Sequence, residues 1–292
     1  MKIGYPCINW TAKLSTNHSF KLASYNEEKL FNTIQSNLDD LKEILEYNVE
    51  NNLLYFRIGS QFVPFASHEV CKSNWVKEFK QQFQEIGNYI KQNNIRIAMH
   101  PDQFVLINAK DNNIVERSIK ELDYHAKILD AMKLDETAKI QIHIGGVYGD
   151  KSSAIQRFID NYKKLPENIK KRLAIENDDK LFSLKDCLEV NKATKIPIIF
   201  DTFHHECLNN NESMVEAIKL AGNTWQKKDG VLLIDYSSQQ ENERKGKHTK
   251  SIDINHFKKI LKYIQDSKTN PDIMLEIKDK ETSALQALTY LI

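Results

Sequence analysis

Residues able to bind metal ions stand at the end of an apolar run in the stretch IPIIFDTFHH, residues 196–205. Apolar residues lead into Asp201, and His204 follows three positions later. A carboxylate and an imidazole at this spacing can each donate a lone pair to one divalent ion. The stretch therefore predicts a buried strand that ends in a metal-binding pair.

The same arrangement recurs along the chain. The candidate ligands at strand ends are His100, His143, Glu176, Asp201, His204, Asp235 and Glu276. Carboxylates brought together repel one another unless cations compensate their charge. The number of ligands fits two or three ions, and mixed imidazole and carboxylate ligation suits Mn²⁺ or Zn²⁺ better than Mg²⁺ or Ca²⁺. Such sites hydrolyse phosphodiesters, but similar sites serve sugar isomerases, and the ligands alone leave both open.

A repeat of strand and helix must position these residues. Apolar runs predict strands over residues 2–9, 53–60, 95–100, 139–146, 172–178, 196–205, 231–238 and 273–280. Helical spacing predicts helices over residues 26–51, 74–92, 114–132, 151–162, 183–193, 213–225, 254–264 and 282–291. Eight such units predict a (β/α)₈ TIM barrel, with residues 1–292 as one domain. A doubly wound sheet is disfavoured because no glycine-rich phosphate fingerprint follows the first strand.

Alternation along the strands predicts which residues face the inside of this barrel. Asp235 and Leu233 share one face of their strand, whereas Leu232 and Ile234 share the other. The same phase places five further candidate ligands on the inner faces of their strands: His100, His143, Glu176, Asp201 and Glu276. Because parallel strands present their carboxyl ends at one face of a TIM barrel, we expect the ligands to meet there.

The composition narrows the class of protein. The net charge is only +1, which neither indicates nor excludes a nucleic-acid partner. The four cysteines are scattered without a CxxC pair, which argues against a zinc ribbon or a disulfide framework. No apolar run approaches the length of a membrane helix and no signal peptide is recognised, so we expect a cytoplasmic protein.

Ten motifs, in this order, resemble those of the UV damage endonuclease family of metal-dependent DNA repair enzymes. They are GYPCIN, FRIGSQFVPFASH, MHPDQF, ELDYHAKILDAM, HIGGVYGDK, AIENDD, FDTFHHEC, DYSSQ, KHTKSID and LEIKDKE. The resemblance spans nearly the whole chain and implies a TIM barrel. It also implies an enzyme that nicks double-stranded DNA immediately 5′ of cyclobutane dimers and 6-4 photoproducts, leaving 3′-hydroxyl and 5′-phosphate ends.

The resemblance further implies residue roles. It carries metal-ligand roles onto six of the strand-end residues and adds His248, and it makes His68 an active-site histidine. Gln103 and Phe104 match a pair that the family inserts into the duplex at the lesion, and Tyr5 and Asn9 match residues that contact the lesion. The family commonly uses manganese, so we expect two or three Mn²⁺ ions, with Zn²⁺, Mg²⁺ or Co²⁺ as alternatives.

One strand departs from the family pattern. Where the family has Lys-x-His, with a lysine that can be carboxylated, this chain has Leu233 and Asp235. Asp235 can still bind a metal ion through oxygen, but Leu233 cannot be carboxylated, so we expect no modified lysine in this site. We assign catalytic roles to Glu176, His68 and Asp235.

Three other functions remain open from the sequence. They are an endonuclease for abasic sites with a trinuclear metal barrel, a sugar isomerase resembling xylose isomerase, and a metal-binding barrel without catalysis. Preference for abasic over dimer-containing DNA would favour the first. For the main interpretation we expect a monomer that associates with the nucleoid when acting and needs no protein partner. The basic residues expected to contact DNA phosphates are Arg57, Lys180, Arg244, Lys245 and Lys247.

Overall fold

Eight parallel strands form a closed barrel in the computed structural model, which describes residues 1–291. The strands are β1 (Ile3–Pro6), β4 (Tyr55–Ile58), β5 (Arg96–Met99), β6 (Lys139–His143), β7 (Leu173–Glu176), β8 (Ile198–Asp201), β9 (Leu233–Tyr236) and β10 (Asp272–Leu275). A short antiparallel pair, β2 (Ile8–Asn9) and β3 (Leu14–Ser15), follows β1. Strand β1 pairs with both β4 and β10, which closes the barrel. The predicted (β/α)₈ barrel is confirmed.

Helices surround the barrel. Within the described residues they are α1 (Glu27–Glu50), α2 (Trp75–Glu78), α3 (Lys80–Gln92), α4 (Asn112–Ala131), α5 (Lys151–Lys164), α6 (Glu167–Lys170), α7 (Leu184–Thr194), α8 (Thr202–Cys207), α9 (Met214–Gly222), α10 (Ile254–Ser267) and α11 (Glu281–Leu288). Helix α1 shows why these segments are helical. Its buried residues recur every three or four positions, and the side chain of Asn26 caps its first turn by accepting a hydrogen bond from the Lys29 amide.

The two faces of each strand form two separate apolar layers, as the alternation predicts. The layer inside the barrel consists of Tyr55, Ala98, Ala174, Ile199, Leu233 and Met274. The residues of alternate phase, such as Leu232 and Ile234, belong to the larger cluster between strands and helices. This interior layer fills the barrel on the amino-terminal side of its mouth. The polar side chains at the strand ends therefore lie above a packed apolar layer.

Several element boundaries differ from those predicted. The first strand ends at Pro6 because Cys7 adopts a left-handed conformation with φ of 69°, which turns the chain into the β2–β3 pair. The predicted helix over residues 74–92 is divided at Phe79 into α2 and α3. A short helix, α8, begins directly after Asp201, whose side chain caps it by accepting a hydrogen bond from the His204 amide at 2.6 Å.

Buried charges close the amino-terminal end of the barrel. Lys139 of β6 donates to Asp229 at 2.5 Å, and both side chains are almost fully buried. Arg96 of β5 donates to the Asp229 carbonyl oxygen at 2.9 Å, and Arg172 before β7 donates to the Asp130 carboxylate at 2.6 Å. These pairs hold neighbouring strands together at the end opposite to the candidate ligands, because partners satisfy the buried charges.

Candidate metal centre

Glu176 lies at the centre of the barrel mouth and contacts three imidazoles. Its Oε2 atom lies 3.4 Å from Nε2 of His100 and 3.4 Å from Nε2 of His143. Its Oε1 atom lies 3.1 Å from Nδ1 of His204. Strand β7 ends at Glu176, and β5, β6 and β8 carry the three histidines at or just beyond their ends. The barrel therefore brings residues far apart in sequence around one carboxylate.

The potential ligands form three groups that share members. The groups, each with ligand atoms within 4.8 Å of one another, are His100, His143 and Glu176; Glu176, Asp201 and His204; and Asp201, Asp235 and Glu276. Glu176 belongs to the first two groups and Asp201 to the last two. A continuous row of this kind can hold two or three divalent ions bridged by shared carboxylates.

Unpaired buried atoms indicate that the row fits cations. Within residues 1–291, Asp201 Oδ2, Asp235 Oδ1 and His143 Nδ1 are buried and have no hydrogen-bond partner. Burial, together with nearby carboxylates, raises the pKa of Asp201 to about 8 and that of Asp235 to about 7. Divalent ions would satisfy the unpaired carboxylate oxygens and favour their ionised form.

The imidazoles and carboxylates of the centre shift one another's pKa values. Burial alone would raise the pKa of Glu176, but the imidazoles of His143, His100 and His204 hold it well below its usual range. Burial opposes the charge on His204, yet Asp201 and Glu176 raise its pKa to about 12. Without metal ions, a proton on His204 therefore compensates part of the negative charge that a cation would otherwise compensate.

Arg57 lies inside the barrel and pairs with two of the candidate ligands. Its guanidinium donates to Asp235 Oδ2 at 2.6 Å and forms a second, close ion pair with Glu276. Its side chain is only 5% exposed. The expectation that Arg57 contacts a DNA phosphate is wrong, because two carboxylates bury it. Alternation along β4 provides a sequence signal for this position, since Arg57 has the same phase as Tyr55 of the interior layer.

Gln141 links two of the candidate ligands, Glu176 and Asp235. No role was assigned to this residue from the sequence. Its Nε2 atom donates to Glu176 Oε2 and to Asp235 Oδ2, each at 2.6 Å, and its Oε1 atom accepts from Arg57 at 2.9 Å. The side-chain amide of Gln141 therefore orients the carboxylates of both Glu176 and Asp235. Arg57 and Gln141 form a polar layer directly beneath the candidate ligands.

The two histidines added by the resemblance lie in different settings. His248, in the loop after β9, has Nδ1 at 2.9 Å from the Glu276 carbonyl oxygen, and its ring centroid lies 5.9 Å from that of His204. It borders the centre, although it is outside the three groups of ligands. His68 is exposed and lines a cavity of about 1010 Å³ together with Phe104 and Glu121. His68 is outside the three groups of ligands, and none of the candidate ligands lines its cavity.

The Gln103–Phe104 pair projects from the loop after β5. Phe104 is 73% exposed, the largest value among the exposed large hydrophobic residues described. Gln103 lines a second cavity, of about 420 Å³, together with His100, His143 and His204. The loop thus joins an exposed aromatic ring to the wall of the metal centre.

Tyr5 and Asn9, expected to contact the lesion, are fully buried in this structure. The Tyr5 hydroxyl donates to Asn48 of α1 at 2.7 Å and accepts from Asn9 Nδ2 at 2.8 Å. Asn9 Oδ1 accepts from the Ala12 amide at 2.8 Å. Here the two side chains fix the turn after β2, and contact with a lesion would require that turn to move.

Comparisons with known proteins agree on one family. The model of the family described as UV-endonuclease UvdE matches residues 1–291. A protein of Clostridium perfringens (strain 13 / Type A) named UV DNA damage endonuclease is 44% identical over 294 residues, covering 100% of this chain and 71% of that protein. The crystal structure of SacUVDE has a TM-score of 0.95 at 43% identity, covering 100% of this chain and 98% of that chain.

A more distant likeness concerns the fold alone. The structure of D-psicose 3-epimerase from Clostridium cellulolyticum H10 has a TM-score of 0.60 at 13% identity, covering 99% of this chain and 98% of that chain. At this identity the shared barrel does not imply shared chemistry. No helix within residues 1–291 combines the length and apolar character needed to cross a membrane.

Proposed function

This chain belongs to the UV-endonuclease UvdE family, and from that membership we propose that it is a DNA repair endonuclease acting on ultraviolet-damaged DNA. It nicks duplex DNA immediately 5′ of cyclobutane dimers and 6-4 photoproducts and leaves 3′-hydroxyl and 5′-phosphate ends. The observation that carries the proposal is the row of three overlapping ligand groups at the barrel mouth, beside the exposed Phe104.

We propose that this row binds two or three divalent ions, with Mn²⁺ preferred. The residues that would hold them are His100, His143, Glu176, Asp201, His204, Asp235 and Glu276, with His248 at the border. Such ions, when bound, activate a water molecule and stabilise the charge that develops on phosphodiester oxygens. Asp235 offers its unpaired Oδ1 to the row, while Arg57 and Gln141 hold its Oδ2.

The polar layer beneath the ligands positions them for this chemistry. Arg57 fixes Asp235 and Glu276, and Gln141 fixes Glu176 and Asp235, so the carboxylates stay aimed at the mouth before substrate binds. Fixed ligands avoid a cost of rearrangement during the reaction. Arg57 also lowers the pKa of Glu276 to about 2, against the effect of burial, which keeps this carboxylate ionised at neutral pH.

Gln103 and Phe104 recognise the lesion in this proposal. The exposed ring of Phe104 enters the base stack where the damaged bases leave it, and Gln103 follows at the wall of the metal centre. His68, which shares a cavity with Phe104, contacts DNA from the other side of this loop. Tyr5 and Asn9 contact the lesion only if the turn after β2 opens.

The membership of the family disfavours the other functions that the sequence left open. A sugar isomerase would share the barrel and the metals, but it would have no use for an exposed aromatic ring beside the ligands. An endonuclease for abasic sites would use the same centre, so only the preferred substrate separates it. We further propose that residues 1–292 act as one monomeric domain in the cytoplasm, on the DNA of the nucleoid.

The test uses three matched duplexes that contain one cyclobutane dimer, one abasic site or no lesion. With Mn²⁺ present, the protein is expected to nick the dimer strand at the 5′ side and to leave the undamaged duplex intact. End-labelled strands on a sequencing gel locate the nick. After the fragment that carries the dimer is removed, ligation of the upstream fragment to a new 5′-phosphorylated strand reports whether it ends in a 3′-hydroxyl. A metal-loaded protein that leaves the dimer duplex whole would refute the proposal, and a strong preference for the abasic duplex would favour the alternative.

A further inference from the structure

The side chain of Trp10 is exposed at the barrel mouth and yet held in place. Its relative exposure is 56%, whereas Trp75 is 6% exposed and Trp225 is partly buried. We propose that Trp10 is a second platform on which a base of the DNA substrate stacks, apart from Phe104. This inference rests on the proposed function, because it assigns one more contact to the same substrate.

A buried carboxylate holds the backbone that carries Trp10. Glu281, the first residue of α11, is fully buried and accepts from the Trp10 amide at 3.0 Å. It also accepts from the amide and the hydroxyl of Thr11, each at 2.7 Å. Three hydrogen bonds to one buried carboxylate fix the turn firmly, since charged acceptors form the stronger hydrogen bonds.

The indole itself is fixed by a contact at its edge. Its Nε1–H donates to the carbonyl oxygen of Lys278 at 3.1 Å. From below, Asn9 accepts from the Ala12 amide and is in turn bonded to Tyr5, so the turn has a rigid base. A large ring that is immobilised while exposed loses little further conformational freedom when a base covers it.

The position of Trp10 suits a strand of DNA that reaches the metal centre. Lys278, whose carbonyl binds the indole, follows Glu276 by two residues, so the ring borders the β10 side of the ligand row. Phe104 lies after β5, and β1 and β4 stand between β10 and β5 in the barrel. The two exposed rings therefore flank one sector of the mouth.

The charges around Trp10 favour a nucleic acid as its partner. Lys278 and Lys13 are exposed beside the turn, and Lys280 is half-buried next to Glu281. Lys280 has φ of 52°, a conformation that a lysine seldom adopts. Exposed cations next to an aromatic face are the combination with which proteins bind bases and the phosphates between them.

The experiment compares the full-length holoenzyme with Trp10→Ala, Trp10→Phe and Tyr263→Ala. Tyr263 is 37% exposed on the outer helix α10 and provides the matched control for loss of an exposed aromatic ring. The probe is a duplex with one cyclobutane dimer and a methylphosphonate at the linkage to be cut, so that binding proceeds without cleavage. Tryptophan fluorescence and fluorescence anisotropy of the labelled duplex are measured together.

Trp10→Ala is expected to weaken binding about tenfold, because stacking of one base contributes about 1.4 kcal/mol or more. Trp10→Phe, which keeps a ring, stays within about threefold of the wild-type protein, and Tyr263→Ala is unchanged. DNA quenches the wild-type fluorescence and not that of Trp10→Phe, since Trp75 is buried and Trp225 lies at the other end of the barrel, bonded to Ile198.

The results separate this inference from the proposed function. If the wild-type protein nicks the dimer duplex but Trp10→Ala binds it equally well, only the role of Trp10 is overturned. Quenching that persists in Trp10→Phe overturns it too. If the wild-type protein neither nicks nor prefers the dimer duplex, both proposals fail. Thermal melting followed by circular dichroism identifies an unfolded Trp10→Ala, in which case Trp10→Phe and its fluorescence decide the matter.

Discussion

Glu176 is the residue on which the candidate centre depends most. It contacts three imidazoles and belongs to two of the three ligand groups. Asp201, which shares a ligand group with Glu176, combines two tasks. One of its carboxylate oxygens caps α8, and the other is buried without a hydrogen-bond partner. Single side chains here thus serve both the local fold and the site.

Replacing Glu176 by Gln tests this dependence with little change in shape. The variant is expected to lose bound metal and to nick dimer-containing DNA more than about 100-fold more slowly, because even outer partners of a metal site contribute 10- to 100-fold. Metal content by plasma mass spectrometry and the initial nicking rate measure the two effects. Glu206→Gln, at a surface carboxylate paired with His256, is the control; equal metal content in both variants would contradict the assignment.

Leu233 gives a second prediction at this scale. It is buried in the apolar layer inside the barrel, at the position where the family places a lysine that can be carboxylated. The intact mass of the native protein, measured without acid, is therefore expected to equal that of its unmodified sequence. An added carboxyl group that peptide mapping places on a lysine inside the barrel would contradict the prediction.

The sequence predicted these residues unequally well, for a physical reason. Alternation fixes which face a strand residue occupies, so Asp235 and Leu233 could be placed inside the barrel from sequence alone. It does not reveal which charges meet there, and Arg57 was therefore expected to contact phosphate, although Asp235 and Glu276 surround it. The pairing of Arg57 depends on strands that lie far apart in the chain.

At the scale of elements, most of the candidate ligands lie at the ends of strands, whereas Gln103 and Phe104, proposed to recognise the lesion, lie in a loop after a strand. The strand order and the apolar layers follow from patterns that the sequence displays. Cys7 and Phe79 interrupt predicted elements because of backbone conformations that their residue types do not indicate. Loop conformation depends on contacts such as that between Glu281 and the Trp10 turn, which join distant segments.

The loop after β5 can be tested through Phe104. Phe104→Ala is expected to slow nicking of dimer-containing DNA by about tenfold or more, because the stack loses the ring that fills the gap. Phe104→Tyr, which keeps the ring, is expected to nick like the wild-type protein. The nicking rates of the wild-type protein and both variants are measured on the dimer duplex at limiting enzyme concentration. All three proteins should contain the same amount of metal. A metal-replete Phe104→Ala with the wild-type rate would remove the loop from lesion recognition.

Helix α4 contains a pH-sensitive position, His125. The side chain is fully buried, and burial lowers its pKa to about 4. The unfolded chain binds a proton near pH 6.5 and the folded chain does not, so stability falls as the pH falls from about 6.5 to about 4, by up to roughly 3 kcal/mol. Urea unfolding at pH 7 and pH 5 is expected to show a smaller loss for His125→Phe than for the wild-type protein. Equal losses in both would contradict this account.

At the scale of the whole molecule, the two ends of the barrel are held by different means. The amino-terminal end is closed by ion pairs such as Lys139 with Asp229. At the mouth lie four carboxylates, those of Glu176, Asp201, Asp235 and Glu276, and the buried guanidinium of Arg57 pairs with two of them. The stability of the barrel mouth is therefore expected to depend on bound metal cations. At the amino-terminal end, the protein's own cationic side chains, such as Lys139, compensate the buried carboxylates.

Removal of the metal ions tests this difference. Chelation is expected to lower the melting temperature by several degrees, because a ligand present at 100 times its dissociation constant stabilises the folded state by about 2.7 kcal/mol. Added Mn²⁺ should restore it. Differential scanning calorimetry measures the change, and Glu176→Gln, which should respond less, is the control. A melting temperature unaffected by chelation in a metal-loaded protein would contradict the expectation.

Closure of the barrel by β10 has a consequence for the order of events during synthesis. Strand β1 pairs with β10, Glu276 follows β10, and Glu281 holds the turn that carries Trp10. A ribosome makes β10, Glu276 and Glu281 after the other seven barrel strands. A growing chain therefore has neither a closed mouth nor a complete ligand row until β10 and the start of α11 have been made, and we expect no DNA cutting before that point.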